Sequence, residues 1–114
     1  MLLRHSHTSP YVRKVMVLAQ ETGLVDRITL ETVDGWSEPE ALTRDNPLSM
    51  VPTLVLDDGT TLFDSPVICE YLDGLHGGTP MFPAPGAARW RALREQALGD
   101  GILDSAVLIF VETR

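Results

Sequence analysis

Three short stretches combine residue types that could do chemistry: Ser9-Pro10, Val51-Pro52 and Asp64-Ser65-Pro66. Serine is a favoured helix N-cap and proline suits the first helical position, so the first and third stretches each mark a helix start. A helix N-terminus attracts a carboxylate through its unpaired N–H donors and its dipole. Behind Ser65 such a terminus would take an anion, and Asp64 beside it would take an ammonium. The pair therefore suits the α-amino acid end of a ligand, which carries both charges, although ordinary capping explains the same residues. Pro52 removes an amide donor at the head of an apolar run, which belongs at a strand start or a bend. Ser9 offers a hydroxyl at a helix start, with Ser6 and Thr8 as competitors. Asp100 and Asp104, four apart, share a helix face and could line a cleft, remain solvated or cap.

The elements that must position these residues follow from the hydrophobic pattern. MLLRH opens as a short strand, and apolar residues at 11, 15, 18 and 12, 16, 19 have helical spacing, with Gly23 as the stop. ITLETV alternates through Ile28 and Leu30, which predicts a half-buried strand. Residues 35–47 read as a loop with room for one short helix capped by Ser37. Thr53–Leu56 and Thr61–Phe63 flank Asp57-Asp58-Gly59 as a hairpin. A further helix, capped by Asp64 or Ser65 and opened by Pro66, should bury Val67, Ile68, Tyr71, Leu72 and Leu75. The order is strand, helix, strand, short helix, hairpin, helix. It predicts an α/β domain over residues 1–76 in which a parallel βαβ unit is followed by an antiparallel hairpin and a covering helix, giving a mixed sheet. Residues 77–86, dense in glycine and proline, read as a linker. Residues 87–114 read as a helix through Trp90, Leu93, Ala97, Ile102, Leu103, Val107 and Leu108. One helix cannot bury its own apolar face, and the run Leu108–Val111 stops abruptly, so the chain is expected to be part of something longer.

Composition narrows the function. With 114 residues, 44% hydrophobic and 22% charged, the chain has the makings of a packed core. Its formal charge of −7 argues against broad contact with nucleic acid or anionic membrane, so an anionic ligand needs a local positive site. The N-terminus has no signal-peptide core and no window approaches the ~18 apolar residues of a membrane span, which leads to the expectation of a cytoplasmic protein. The single cysteine, Cys69, excludes an internal disulfide and a CxxC motif, and its place in VICEYL is that of a small packed hydrophobe. His5 and His7 flank Ser6 without a third ligand nearby, so no metal site is expected.

The order of elements, together with SHTSPYVRKV, NPLSMVPTLVLDDG and LFDSPVICEYLD, resembles the glutathione transferase superfamily, and ARWRALREQALGDGILD supports the likeness. The resemblance covers residues 1–76 and continues over 87 to about 107. The SPYVRK form is most similar to the serine-using bacterial and tau-like members. It implies a thioredoxin-like βαβαββα domain followed by the beginning of an all-α domain, with glutathione as co-substrate and no metal. It further implies that Pro52 is cis and that Val51 presents its N–H and C=O to the peptide ligand, a miniature of β-strand addition. From the residues alone, a trans proline starting an edge strand serves as well. In this family Asp64 and Ser65 would hold the γ-glutamyl end, and Ser9 would be the catalytic hydroxyl. A thiol has a pKa of about 8.5, and a charge-assisted hydrogen bond worth roughly 1.5–3 kcal/mol would lower it by one or two units.

One position departs from the pattern. Many relatives carry lysine before Val-Pro, where it would pair the glycyl carboxylate, and this chain has Met50. His5, Arg13 or Lys14 could replace that charge if they reached the cleft. The resemblance implies conjugation of glutathione to a hydrophobic electrophile by a cytoplasmic homodimer, a detoxifying role. The exposed apolar tail and the Phe63–Tyr71 region are the sequence's own support for a dimer. A non-catalytic binding module on the same fold, or a glutathione-dependent isomerase or dehalogenase, would read similarly. A dithiol glutaredoxin is disfavoured because residues 4–11 hold no cysteine.

Overall fold

The computed structural model describes residues 1–33 and 39–113. The chain divides into two compact units, Met1–Thr79 and Pro80–Arg114. The first unit carries β1 (Leu2–His5), α1 (Pro10–Glu21), one 3-10 turn (Val25–Arg27), β2 (Thr29–Thr32), α2 (Pro39–Asp45), β3 (Thr53–Val55), β4 (Thr61–Leu62) and α3 (Ser65–Asp73). The second unit carries α4 (Ala87–Glu112). Strand order is β2-β1-β3-β4, with β1 and β2 parallel and the other pairs antiparallel. This is the α/β mixed sheet of a thioredoxin-like fold, in the predicted order. The Ser37 cap lies outside the described residues.

Pairing register sorts the side chains onto two faces. Leu3 pairs with Leu54, and both are fully buried; Arg4 pairs with Thr53 on the opposite face. Arg4 and Thr53 bond to Asp45 and Asn46, so their face is the one α2 covers. The Leu3 and Leu54 face is left to α1 and α3, which pack on each other, α3 also on β3. The core there gathers Val12, Val15, Leu18 and Ala19 from α1 with Ile68, Cys69 and Leu72 from α3. Cys69 packs as a small hydrophobe, as its sequence context predicts. Gly23 takes a left-handed φ of 74° just beyond the Thr22 cap and ends α1 as predicted. Gly59 does the same for the hairpin at φ 90°.

Two expectations about burial are corrected. All four residues of β2, an edge strand, are exposed, and the buried apolar residues near it are instead Leu24 and Val33 at its flanks. The buried stripe of α3 is Ser65, Ile68, Cys69, Leu72 and Asp73, rotated from the predicted one; Val67 is exposed, and Tyr71 and Leu75 are only half-buried. Hydropathy ranks Val67 and Tyr71 above Ser65 and Asp73. A buried carboxylate is tolerated here because Asp73 Oδ1 lies 2.7 Å from His76 Nε2. The N–H of Gly78 donates to His76 Nδ1 at 3.2 Å, which leaves Nε2 as the ring's donor towards Asp73 in the neutral form.

Candidate functional site

Register brings the sequence-selected residues to one end of the sheet. Arg4 sits opposite Thr53, so the residues before Thr53 lie beside the C-terminal end of β1, from which the chain turns at Ser9 into α1. Leu62 sits opposite Leu54 in an antiparallel pair, so the chain leaving β4 returns to that end and enters α3 at Asp64-Ser65. Two helix N-termini and the start of β3 therefore converge there. Open α/β sheets bind ligands outside such strand ends.

Ser9 is half-buried and caps α1, its Oγ accepting from the Val12 N–H at 3.3 Å. A hydroxyl that accepts one bond still has its own proton to give. The cap and an anion-stabilising donor are thus compatible roles for one oxygen. At α3, Asp64 holds the cap position, and its main-chain oxygen accepts from Ile68 N–H at 3.1 Å, but its carboxylate makes no capping bond. Ser65 opens the helix and is buried. Of the alternatives left by the sequence, side-chain capping by Asp64 is therefore excluded.

The loop into β3 is held from below. Pro52 is buried behind a cis Val51–Pro52 bond, Val51 is half-buried, and Met50 is 60% exposed. The Met50 carbonyl accepts from Asn46 Nδ2 at 3.2 Å and from Thr53 Oγ1 at 2.8 Å. Among the described residues none pairs with the Val51 N–H or C=O. Main-chain polar groups normally find partners, so these two are open to a ligand or solvent.

Of the cations considered to replace a lysine at position 50, His5 is buried and engaged, its Nε2 lying 3.1 Å from Thr32 Oγ1 and its ring edge-on to that of His7 at 5.1 Å. Arg13 is exposed on α1. No group of three metal-ligating side chains occurs among the described residues.

Sequence reasoning missed a buried polar scaffold beside the site. Arg4 is 7% exposed, yet its Nε donates to Asp45 Oδ2 at 2.5 Å and its Nη1 to Glu31 Oε1 at 2.6 Å. Burial works against its charge, but the hydrogen bonds and charges of Asp45 and Glu31 outweigh it and raise the pKa above the ordinary arginine value. This ion triad ties β1, β2 and the end of α2 together. Asn46, next to Asp45, is likewise buried. In the sequence, residues 35–47 read only as a loop with room for one short helix, which gave no sign of this burial.

Comparison with known proteins agrees with this geometry. The family model described as Glutathione S-transferase, N-terminal domain, matches residues 8–75. An uncharacterized GST-like protein of Escherichia coli, YibF, is 36% identical over 110 residues, which is 95% of this chain and 52% of that protein. A crystal structure of a glutathione transferase family member from Pseudomonas fluorescens Pf-5, with bound glutathione, superposes with a TM-score of 0.90 at 49% identity, over 95% of this chain and 54% of that one. A glutathione S-transferase from Methylobacillus flagellatus, with glutathione bound, gives 0.85 at 40% identity over 99% and 55%. The chain thus spans about half the length of the relatives it matches.

Proposed function

The chain belongs to the glutathione S-transferase family, and from that premise we propose that it is the glutathione-binding part of a serine-type transferase. In this reading Val51 pairs its N–H and C=O with the ligand backbone, with Met50 and Pro52 flanking it. The first turn of α3 with Ser65 receives the γ-glutamyl carboxylate, and Asp64 receives the neighbouring ammonium. Ser9 donates a hydrogen bond from its hydroxyl to the sulfur, whose own proton is released to solvent, and the N-terminus of α1 also favours the resulting anion. The thiolate then attacks an electrophilic carbon of a hydrophobic second substrate; the carbon–sulfur bond forms as the leaving group departs with its electron pair. Residues 77–86 act as a linker, and residues 87–114 as the first helix of an all-α domain that supplies most of the second substrate's site. Homodimerisation and a cytoplasmic, detoxifying role belong to the same proposal and rest on family likeness.

The observation that carries the reading is the convergence of Ser9, Val51 and Asp64-Ser65 at one end of one sheet, with the Val51 main chain unpaired among the described residues. The test is conjugation of glutathione to an activated aryl halide by a chain extended to its relatives' length. Replacing one charge-assisted hydrogen bond by Ser9→Ala should lower kcat/KM by roughly ten- to a hundredfold and raise the pKa of bound glutathione, read from thiolate absorbance. Equal rates would remove Ser9 from the mechanism. Glutathione binding without turnover would favour the non-catalytic module.

A further inference from the structure

Asn46 uses its side chain fully on one loop. Its Nδ2 donates to the Met50 carbonyl at 3.2 Å and to Thr53 Oγ1 at 3.1 Å, and its Oδ1 accepts the Leu48 N–H at 2.8 Å. Its own carbonyl accepts the Ser49 N–H at 2.8 Å, and its N–H returns to Leu42 at 2.9 Å. Rotating the amide by half a turn would set oxygen against the Met50 carbonyl and nitrogen against the Leu48 N–H, so the network itself assigns its orientation. Asn46 is 1% exposed and Thr53 fully buried. Between them Ser49 adopts φ 54°, a left-handed conformation that non-glycine residues seldom take unless held. The bond to Asn46 and another from Thr43 Oγ1 to Ser49 Oγ at 3.0 Å do the holding.

The peptide unit joining Met50 to Val51 is planar and trans, so its C=O and N–H point in opposite directions. Fixing the Met50 oxygen on buried Asn46 and Thr53 therefore turns the Val51 N–H away from that interior. We infer that Asn46, with Thr53 as its relay, is a positioning residue that aims the Val51 N–H at the ligand; this rests on the glutathione-binding reading above. Neither side chain needs to touch the ligand, and the whole effect passes through one peptide plane.

The experiment compares the chain with Asn46→Asp, Thr53→Val, Thr53→Ser and a destabilised control, Leu24→Ala, by glutathione calorimetry and by amide NMR. Asn46→Asp keeps the acceptor for Leu48 but cannot donate to Met50, and Thr53→Val loses the hydroxyl that Thr53→Ser retains. Losing one aimed hydrogen bond should weaken glutathione binding roughly tenfold in Asn46→Asp and Thr53→Val, against at most about twofold in Thr53→Ser and Leu24→Ala. The Val51 amide resonance should shift, and the Ser49 amide exchange faster, in the first two variants alone. Unchanged affinity, with an unchanged Val51 resonance, in a folded Asn46→Asp or Thr53→Val chain overturns the inference. If the parent chain takes up no glutathione, the functional reading fails, and the Val51 resonance and Ser49 exchange still decide whether Asn46 orients the peptide.

Discussion

Helices α1 and α4 both carry apolar residues at helical spacing, gathered on one side in α1 and spread around the axis in α4, and they have opposite fates. In α1, Val12, Val15, Leu18 and Ala19 are buried in a 12-residue helix, whereas α4 is 26 residues long and buries none. Trp90, Ile102, Leu108, Ile109 and Phe110 are all exposed in this chain. Helical spacing states which residues can share a face, and burial needs a second surface to receive that face. For α1 that surface is supplied by α3, brought against it from a distant part of the sequence. The contrast also locates the polar specialisation, since the buried Arg4, Asn46, Thr53, Ser65 and Asp73 all belong to the first unit.

The strongest way to break this comparison is to attack the polar part of the first unit. Arg4→Ala should cost about 3–5 kcal/mol in urea unfolding, because Asp45 is left charged and largely buried without its partner. Glu31→Gln should cost far less, its carboxylate being half exposed. A small loss in Arg4→Ala would mean that the triad is not what ties α2 to the sheet. Next in size is the apolar pair that states the comparison directly. Leu54→Ala should cost about 2–5 kcal/mol and Leu108→Ala no more than about 0.5 kcal/mol, by the same measurement. Equal losses would show that α4 is packed in solution and would erase the distinction. The smallest effect concerns the hairpin turn. Hydrogen bonds from Thr60, one of them its N–H to Oδ1 at 2.9 Å, hold the Asp58 carboxyl below its ordinary value. The sign follows from linkage: a depressed folded-state pKa favours the folded chain above the unfolded value, and that advantage is lost as pH falls below about 4. Asp58→Asn should therefore be slightly less stable than the parent at neutral pH and converge with it on the acid limb of the unfolding curve; because Asp58 is fully exposed, the difference should be the smallest of the set.

Much of the site was legible because its signals are local. Ser9-Pro10 announces a helix start through capping chemistry and the fixed φ of proline, Asp64-Ser65-Pro66 through its proline, and both helices begin there. The hairpin was legible for the same reason, Gly59 supplying the positive φ at its turn. Asn46 was not legible, since an asparagine before a proline is ordinarily a solvated turn residue. Only its distance from Met50 and Thr53 in the folded chain makes it a buried hub. The rotation of the α3 stripe escaped for a related reason. Hydropathy cannot anticipate that His76 lies where Asp73 can be buried beside it.

By itself the amino-acid order determined the succession of elements, the helix starts and the turn at Gly59, because capping, φ preference and period act over a few residues. The tertiary structure alone decided that three separated stretches meet at one sheet end, that β2 is an exposed edge, and that the Met50 carbonyl turns inward. Those outcomes depend on pairings between residues far apart in the chain, which no local preference encodes.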